Sequence, residues 1–519
     1  MSDQGAGEEL LTGDDLRQLA TLGIERATAE RQLAQLRQGA AWQCLERPCI
    51  PGDGIAALPV DRGADLERQF AAATAAGRIS RFIPASGAAT RMFQPLLVDA
   101  AVLDAWRAVG PDAATDESLG DLQRFAEEFE RFPFAAELQR LLAADGLSVA
   151  QLLAERDLAP LLDALLAPTG LGYADLPKGL LPFHRAADGL RSPFIEHQAE
   201  AALLDNGQGR VALHLTVSPE HLDLFRAEAT AWRQRLCEGY GCQPALSYST
   251  QQPCTDTLAL NAAGRPARDV AGRLLLRPGG HGALLANLAG CGGDIVLLRN
   301  IDNVVPDANK ATNLRCGRLL AGYLLELQQE QHGLLRELHQ HGDDPLLRDL
   351  AFGFLYDRLQ LQVPLDLDLA GLIAQLDRPL RVCGMVANLG EPGGGPFWVR
   401  DATGLARRQI VETAQIDGSD PQQAALLAAS THFNPVDMAC ALRDWQGRPY
   451  DLVRFVDADA VIVAAKVQQG ETLRVLELPG LWNGGMAGWL TLFVEIPGDA
   501  FNPVKTLFDL LRPAHQVDA

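Results

Sequence analysis

Three stretches of the chain carry residues whose type and spacing suit phosphate chemistry. In 294–303, DIVLLRNIDN, an apolar run reads as a strand and delivers Asp302 and Asn303 into a turn. A carboxylate placed where a strand ends can hold a hard dication, and Mg²⁺ typically takes one or two carboxylates plus substrate phosphates. In 84–93, PASGAATRMF, a short apolar run meets a small-residue turn that is expected to open into a helix. Backbone N–H groups over Ser86, Gly87, Ala88 and Thr90 could then approach an anion closely, with Arg91 adding a fixed cation at the helix start. In 278–282, PGGHG, the glycines Gly279, Gly280 and Gly282 would let the backbone close on a flat ligand, and a helix is expected over 283–288. Each stretch also has a plainer explanation. The first could be an Asx turn, the second a tight strand-to-helix connection, and His281 an ordinary turn histidine.

The elements that must position these groups follow from composition and periodicity. The chain has 519 residues, 47% hydrophobic and 21% charged, with a formal net charge of −21. At roughly 100–200 residues per domain, that is one large core with additions, or two to three domains. The negative charge argues against binding a nucleic-acid polymer over a broad face, which needs clustered Lys and Arg. It leaves room for a small phosphate ligand held by a few cations and backbone N–H groups. Nine Cys without CxxC spacing read as buried free thiols in a reducing cytosol. No basic-then-apolar leader opens the sequence and no run of about 20 apolar residues occurs, so a cytoplasmic protein without a membrane span is expected.

Helix-like spacing of Leu16, Leu19, Leu22, Ile24, Leu33 and Leu36 makes 9–40 helical, with Thr12 and Asp15 as a weak capping pair. A further helix spans 64–78, ended by Gly77. The Leu-, Ala- and Glu-rich stretch 97–175 reads as a helical insertion. Strands are expected within 210–218, 294–303, 379–389, 406–416 and 459–468, and helices over 220–236 and 311–341. The Gly/Pro run 390–396 predicts a shaped loop rather than a strand. Strands alternating with helices imply an α/β fold with a mixed, mainly parallel sheet, whose ligands sit beyond the strand C-termini.

Taken in order, these segments resemble the UDP-sugar pyrophosphorylases, the UDP-glucose and UDP-N-acetylglucosamine enzymes, and look like a divergent bacterial branch of that superfamily. The small-residue turn with Thr90-Arg91-Met92 is followed by Pro177-Lys178, Leu180-Leu181-Pro182 and Phe194-Ile195-Glu196-His197. Then come Gln251-Gln252, Pro278 to Gly282, Ile301-Asp302-Asn303, the Glu412 strand, Phe433-Asn434, and Phe501-Asn502-Pro503-Val504-Lys505-Thr506. The departure is distance: about 85 residues separate the turn from Lys178, and such an insertion is tolerable when its ends stay close. The resemblance implies a Rossmann-like, GT-A type nucleotidyltransferase core over 76–96 and 176–495. Flanking it would be an N-terminal helical region (1–75), the insertion (97–175) and a C-terminal segment (496–519).

It further implies joining of a nucleoside triphosphate, UTP above others, to a sugar 1-phosphate with release of pyrophosphate. Asp302 would bind Mg²⁺, and Arg91, Lys178 and Lys505 would serve catalysis. Ser86, Gly87, Ala88, Thr90, Gln251, Gly279, Gly280, His281 and Gly282 would bind nucleotide, and Gly384, Glu412 and Asn434 the sugar. The alternative is a nucleotide- or nucleotide-sugar-binding protein on the same fold with altered catalysis. Nothing in the sequence sets the oligomeric state.

Overall fold

The computed structural model describes residues 10–39, 42–87, 89–108, 117–390, 393–400, 404–468 and 470–516. Packing divides the chain into two compact units, 1–70 with 250–298 and 319–496, and 71–249 with 299–318 and 497–519. The fold is mixed α/β, and its larger sheet strands are mainly parallel.

In the first unit, Gly54–Ala57, Leu490–Glu495, Leu380–Ala387 and His432–Ala441 lie side by side, the first three parallel and the last antiparallel. The sequence Leu-Arg-Val-Cys-Gly-Met-Val of Leu380–Ala387 is buried on both faces, as an apolar run in a covered sheet must be. A second, antiparallel sheet joins Leu276–Arg277, Thr257–Leu260, Glu471–Glu477 and Ile462–Gln468. Two N-terminal helices, Gly13–Thr21 and Arg26–Gln38, bury Leu19, Leu33 and Leu36 against its Leu258, Leu260 and Leu476. Thr12 and Asp15 form the anticipated capping box, and Asp15 also takes a two-pronged bond from Arg268 at 2.7 and 2.8 Å.

In the second unit, Ile79–Pro84, Ala212–Thr216 and Leu246–Ser249 run parallel. Between them run the helices Pro193–Leu204 and Leu222–Tyr240, joined through an edge-to-face contact of Phe194 and Phe225 at 5.2 Å. The expected insertion is helical: Ala100–Ala108, Glu117–Glu127, Ala135–Ala144, Val149–Ala154 and Ala159–Leu166. Its core of Phe125, Phe129, Phe132 and Phe134 also takes in Leu507 and Phe508 from the C-terminal segment. Among the described residues no helix is long and apolar enough to cross a membrane.

Three expectations are corrected. The turn after Ile79–Pro84 does not open into an α-helix. It leads into the 3-10 turns Ala89–Arg91 and Gln94–Leu96, the second with Pro95 in its first turn. The run 390–396 is not all loop, because Gly394–Arg400 is a strand whose Gly394 faces Glu412. A Cβ on Gly395 would lie 3.1 Å from the His432 carbonyl oxygen, so the missing side chain eases a close approach there. None of the nine cysteines forms a disulfide, but only Cys49, Cys316, Cys383 and Cys440 are buried, while Cys44 and Cys237 are exposed.

Candidate functional site

The helix Pro193–Leu204 is the platform on which the second unit's site is built. Eleven of its twelve residues are buried, including Glu196, His197, Gln198 and Glu200. Buried charges persist only when paired and hydrogen-bonded, and these are. Arg81 donates to Glu200 Oε2 at 2.7 Å, and Arg299 approaches it at 3.6 Å. Lys310 pairs with Glu196, and it donates to the Val305 carbonyl at 2.8 Å. Burial holds the His197 imidazole down to about 3, so the ring is neutral. Nδ1 faces the Arg81 guanidinium at 3.2 Å, which leaves Nε2–H to donate to the Ile301 carbonyl at 3.2 Å. The chain on both sides of Asp302 is thereby pinned, at Ile301 and at Lys310.

Asp302 itself accepts from Lys178 Nζ at 2.7 Å and from Lys505 Nζ at 3.1 Å, both on Oδ2. These residues are 124 and 203 positions from it in the sequence. Asp302 Oδ1 is buried and has no hydrogen-bond partner among the described residues. Burial by itself would raise the carboxyl pKa, but the two ammonium groups carry it below the usual carboxylate range. Burial lowers the pKa of Lys178, and the Asp302 charge offsets that only in part.

Backbone contacts lace the neighbouring segments together. Lys178 N donates to the Gly87 carbonyl at 3.1 Å, and Ala89 N to that of Leu176 at 3.2 Å. Val504 N donates to the Asp302 carbonyl at 3.1 Å, and Leu507 N to that of Met92 at 3.0 Å. Asp509 Oδ2 accepts from Lys505 N and Thr506 N at 2.7 and 2.8 Å, closing a capping box that fixes Lys505 at the mouth of the 3-10 turn Leu507–Leu511. Ser86, Gly87, Thr90 and Arg91 are exposed on the laced turn, and nothing stands within 4 Å of a Cβ built on Gly87. Arg91 shares this turn but does not touch Asp302 or either lysine. Ala88 lies outside the described residues.

The remaining expected site residues belong to the first unit. Gly279, Gly280 and Gly282 stand where a side chain would not fit. A Cβ would lie 2.4 Å from the Thr255 carbonyl oxygen at Gly279 and 2.2 Å from that of Pro479 at Gly282, while Gly280 has φ +73°. His281 stacks on Trp482 with ring centroids 4.1 Å apart. Its Nδ1 accepts from Leu481 N at 3.0 Å, so Nε2–H donates to Glu412 Oε1 at 3.2 Å. Burial would raise the Glu412 pKa, and the His281 bond draws it down instead. Gln251 donates to Asp256 at 3.2 Å. Asn434 is buried, and its Oδ1 accepts from Val436 N at 3.1 Å. Val436 holds φ +58°, a strained value for a β-branched residue inside a strand. Gly384 sits where a Cβ would meet Ile496 Cδ1 at 2.6 Å.

Residue types did not announce Asp509, Trp482 or the Arg81–Glu200–Arg299 cluster. Asp509 had a readable signal, since Thr506-x-x-Asp509 is a capping-box spacing.

Among the described residues no group of three or more His, Cys, Asp and Glu is arranged around a metal position. A cation here would depend on one carboxylate, completed by phosphate and water oxygens.

No curated protein matches the sequence. The fold is similar to a variant of UDP-glucose pyrophosphorylase from Leishmania major in complex with UDP-glucose, at 12% identity and TM-score 0.46, covering 96% of this chain and 79% of that one. It is similar to the uridine diphosphate N-acetylglucosamine pyrophosphorylase of Trypanosoma brucei in complex with an inhibitor, at 14% identity and TM-score 0.46, again covering 96% and 79%. A putative UDP-N-acetylglucosamine pyrophosphorylase from Entamoeba histolytica is similar at 10% identity and TM-score 0.41, over 85% of this chain and 80% of that one. A family model matches residues 12–516, nearly the whole sequence, and the chain belongs to that family, DUF4301, described as a domain of unknown function.

Proposed function

We propose that the protein is a nucleotidyltransferase that joins a nucleoside triphosphate, UTP above others, to a sugar 1-phosphate. One observation carries the reading: Lys178 and Lys505, from motifs far apart in sequence, meet on one oxygen of a buried aspartate whose other oxygen is free. A phosphate oxygen of the sugar phosphate attacks the α-phosphorus of the triphosphate. The bond from that phosphorus to the bridging oxygen of the β-phosphate breaks, and pyrophosphate leaves with the electron pair. Two anionic reactants repel, so cations must stand between them, and this is the part Lys178 and Lys505 are suited to play. The exposed turn residues Ser86, Gly87 and Thr90, with Arg91, would receive the β- and γ-phosphates. The roles of Gln251 and Gly279 to Gly282 toward base and ribose, and of Gly384, Glu412 and Asn434 toward the sugar, belong to the same proposal.

Mg²⁺ fits the donor set through Asp302 Oδ1, a buried anionic oxygen with no protein partner. When bound it would supply neutralisation of phosphate charge. The chain's own residues do the positioning: Asp302 is held by its lysines and by the pinned chain around it, and Lys505 by the Asp509 cap.

The test is incubation of the protein with each nucleoside triphosphate, Mg²⁺ and mixed sugar 1-phosphates, with products read by mass spectrometry and pyrophosphate assayed. A nucleotide-sugar appearing with stoichiometric pyrophosphate supports the proposal. Triphosphate binding by calorimetry, without release over the whole panel, would instead favour a binding protein on this fold.

A further inference from the structure

The first unit contains a cavity of about 600 Å³ that Gly384, Glu412 and Asn434 do not line. That volume lies within the range of small-molecule sites. Among the described residues its wall carries four arginines, Arg378, Arg400, Arg407 and Arg454, and one carboxylate, Asp457. Arg400 is balanced by Glu46 at 2.9 Å. Arg378 is not. Its guanidinium donates to the carbonyls of Gln375 at 2.8 Å and Gly488 at 3.4 Å, and it meets no carboxylate among the described residues. Burial, with the Arg407 charge adding to it, pushes the Arg378 pKa down to about 9. Like charges gathered on one recess favour an anion between them.

The wall also offers an acceptor. Gln409 Nε2 donates to the Ala487 carbonyl at 2.9 Å, and its Oε1 is buried without a partner. Trp42 and Phe455 contribute aromatic surface. Part of the lining is tightly built: Gly488 N bonds the Phe455 carbonyl at 2.8 Å, and a Cβ on Gly484 would come within 2.5 Å of Ala460 Cβ. Planar guanidinium forks suit a phosphate dianion. The cavity is larger than inorganic phosphate needs, and its aromatic lining residues suit an organic portion.

We propose that this cavity binds a small phosphate ester, its phosphate received by Arg378, Arg407 and Arg454 and a neighbouring hydroxyl or amino group donating to Gln409 Oε1. The site is separate from the residues assigned to nucleotidyl transfer, and the proposal does not depend on that reading.

Calorimetry on the full chain without metal, using inorganic phosphate, glucose 1-phosphate and UMP, tests it. Measurements are made on the wild type, on Lys505→Ala to weaken the Asp302 cluster, and on the double variant Arg407→Gln/Arg454→Gln. An ester should bind more tightly than inorganic phosphate, persist in Lys505→Ala, and weaken at least tenfold in the double variant. Preference for UMP would place a base against the aromatic lining, and preference for glucose 1-phosphate a sugar ring. Ester affinity unchanged in the double variant, or no ester binding at millimolar concentration, would overturn the proposal. Arg378→Met is followed alongside with a melting curve. Should it not fold, the two partly exposed arginines decide the matter.

Discussion

Lys178 and Lys505 bond the same oxygen yet differ in burial, and this makes them separable by experiment. The Lys505 side chain is 48% exposed, against 13% for Lys178 and 9% for Asp302. An ion pair with one half-exposed partner contributes about 0–1 kcal/mol to stability. Lys505→Ala should therefore lower the melting temperature by no more than about 2–4 °C. Its charge, if aimed at developing phosphate charge, is worth about 2.7–4 kcal/mol in the transition state, or a loss of about 10²–10³ in kcat. Lys178→Met removes the more buried partner. Breaking a buried pair costs about 3–5 kcal/mol; because Lys505 stays on the same oxygen, the expected cost is about 1–3 kcal/mol by the same principle. Pyrophosphate release and thermal denaturation, measured together on both variants, give the comparison. Turnover of Lys505→Ala within about threefold of wild type would refute the assignment. So would a stability loss equal to that of Lys178→Met, since it would make Lys505 a structural residue.

Other outcomes follow from particular contacts. Gly282→Ala drives a methyl to 2.2 Å from the Pro479 carbonyl oxygen and should cost about 1–3 kcal/mol in a denaturant titration. The Glu200 carboxyl is drawn down to about 2, burial opposing and the Arg299 and Arg81 charges prevailing. Its contribution is complete above the unfolded pKa of about 4.3 and is lost as pH falls toward 2, so Glu200→Gln should flatten acid unfolding in that window. It should also destabilise by about 3–5 kcal/mol at neutral pH, because two buried arginines lose their partner. Glu228 is the opposite case. Burial pushes it up to about 7, with the Ser192 hydroxyl bond of 2.6 Å partly offsetting. Its folded pKa lies above the unfolded one, so stability falls as pH rises from about 4.3 to 7. Glu228→Gln should then raise the melting temperature at pH 8 and leave it nearly unchanged at pH 4. An equal shift at both pH values would refute this reading.

Much of the architecture was legible because it rests on local periodicity. The strand Ile295–Arg299 and the helices Lys310–His341 and Leu222–Tyr240 arise where apolar spacing and length say they must. The misreadings share a cause. Gly394 to Pro396 look like a loop locally, yet they open a strand that pairs along the whole length of Ala406–Glu412, with Gly395 tight against the His432 carbonyl, where a Cβ would lie 3.1 Å away. The turn after Pro84 looks like a helix start, but the chain leaves it through two short 3-10 turns, its Met92 carbonyl bonded to Leu507 N from the C-terminal segment. Gly279 and Gly282 carry a further requirement that the sequence does not show: where a Cβ would stand, the carbonyl oxygens of Thr255 and Pro479 lie 2.4 and 2.2 Å away.

By itself, the order of residues determined the element types, the Thr12 cap and the motifs that mark Asp302, Lys178 and Lys505 as candidates, because each depends on neighbours a few positions away. Only tertiary structure decided that both lysines take one carboxylate oxygen and leave the other bare. It alone showed that His281 holds Glu412, and that Arg378 faces a cavity and meets no carboxylate among the described residues. Those facts depend on distance and desolvation between groups far apart along the chain, and no spacing in the sequence encodes either.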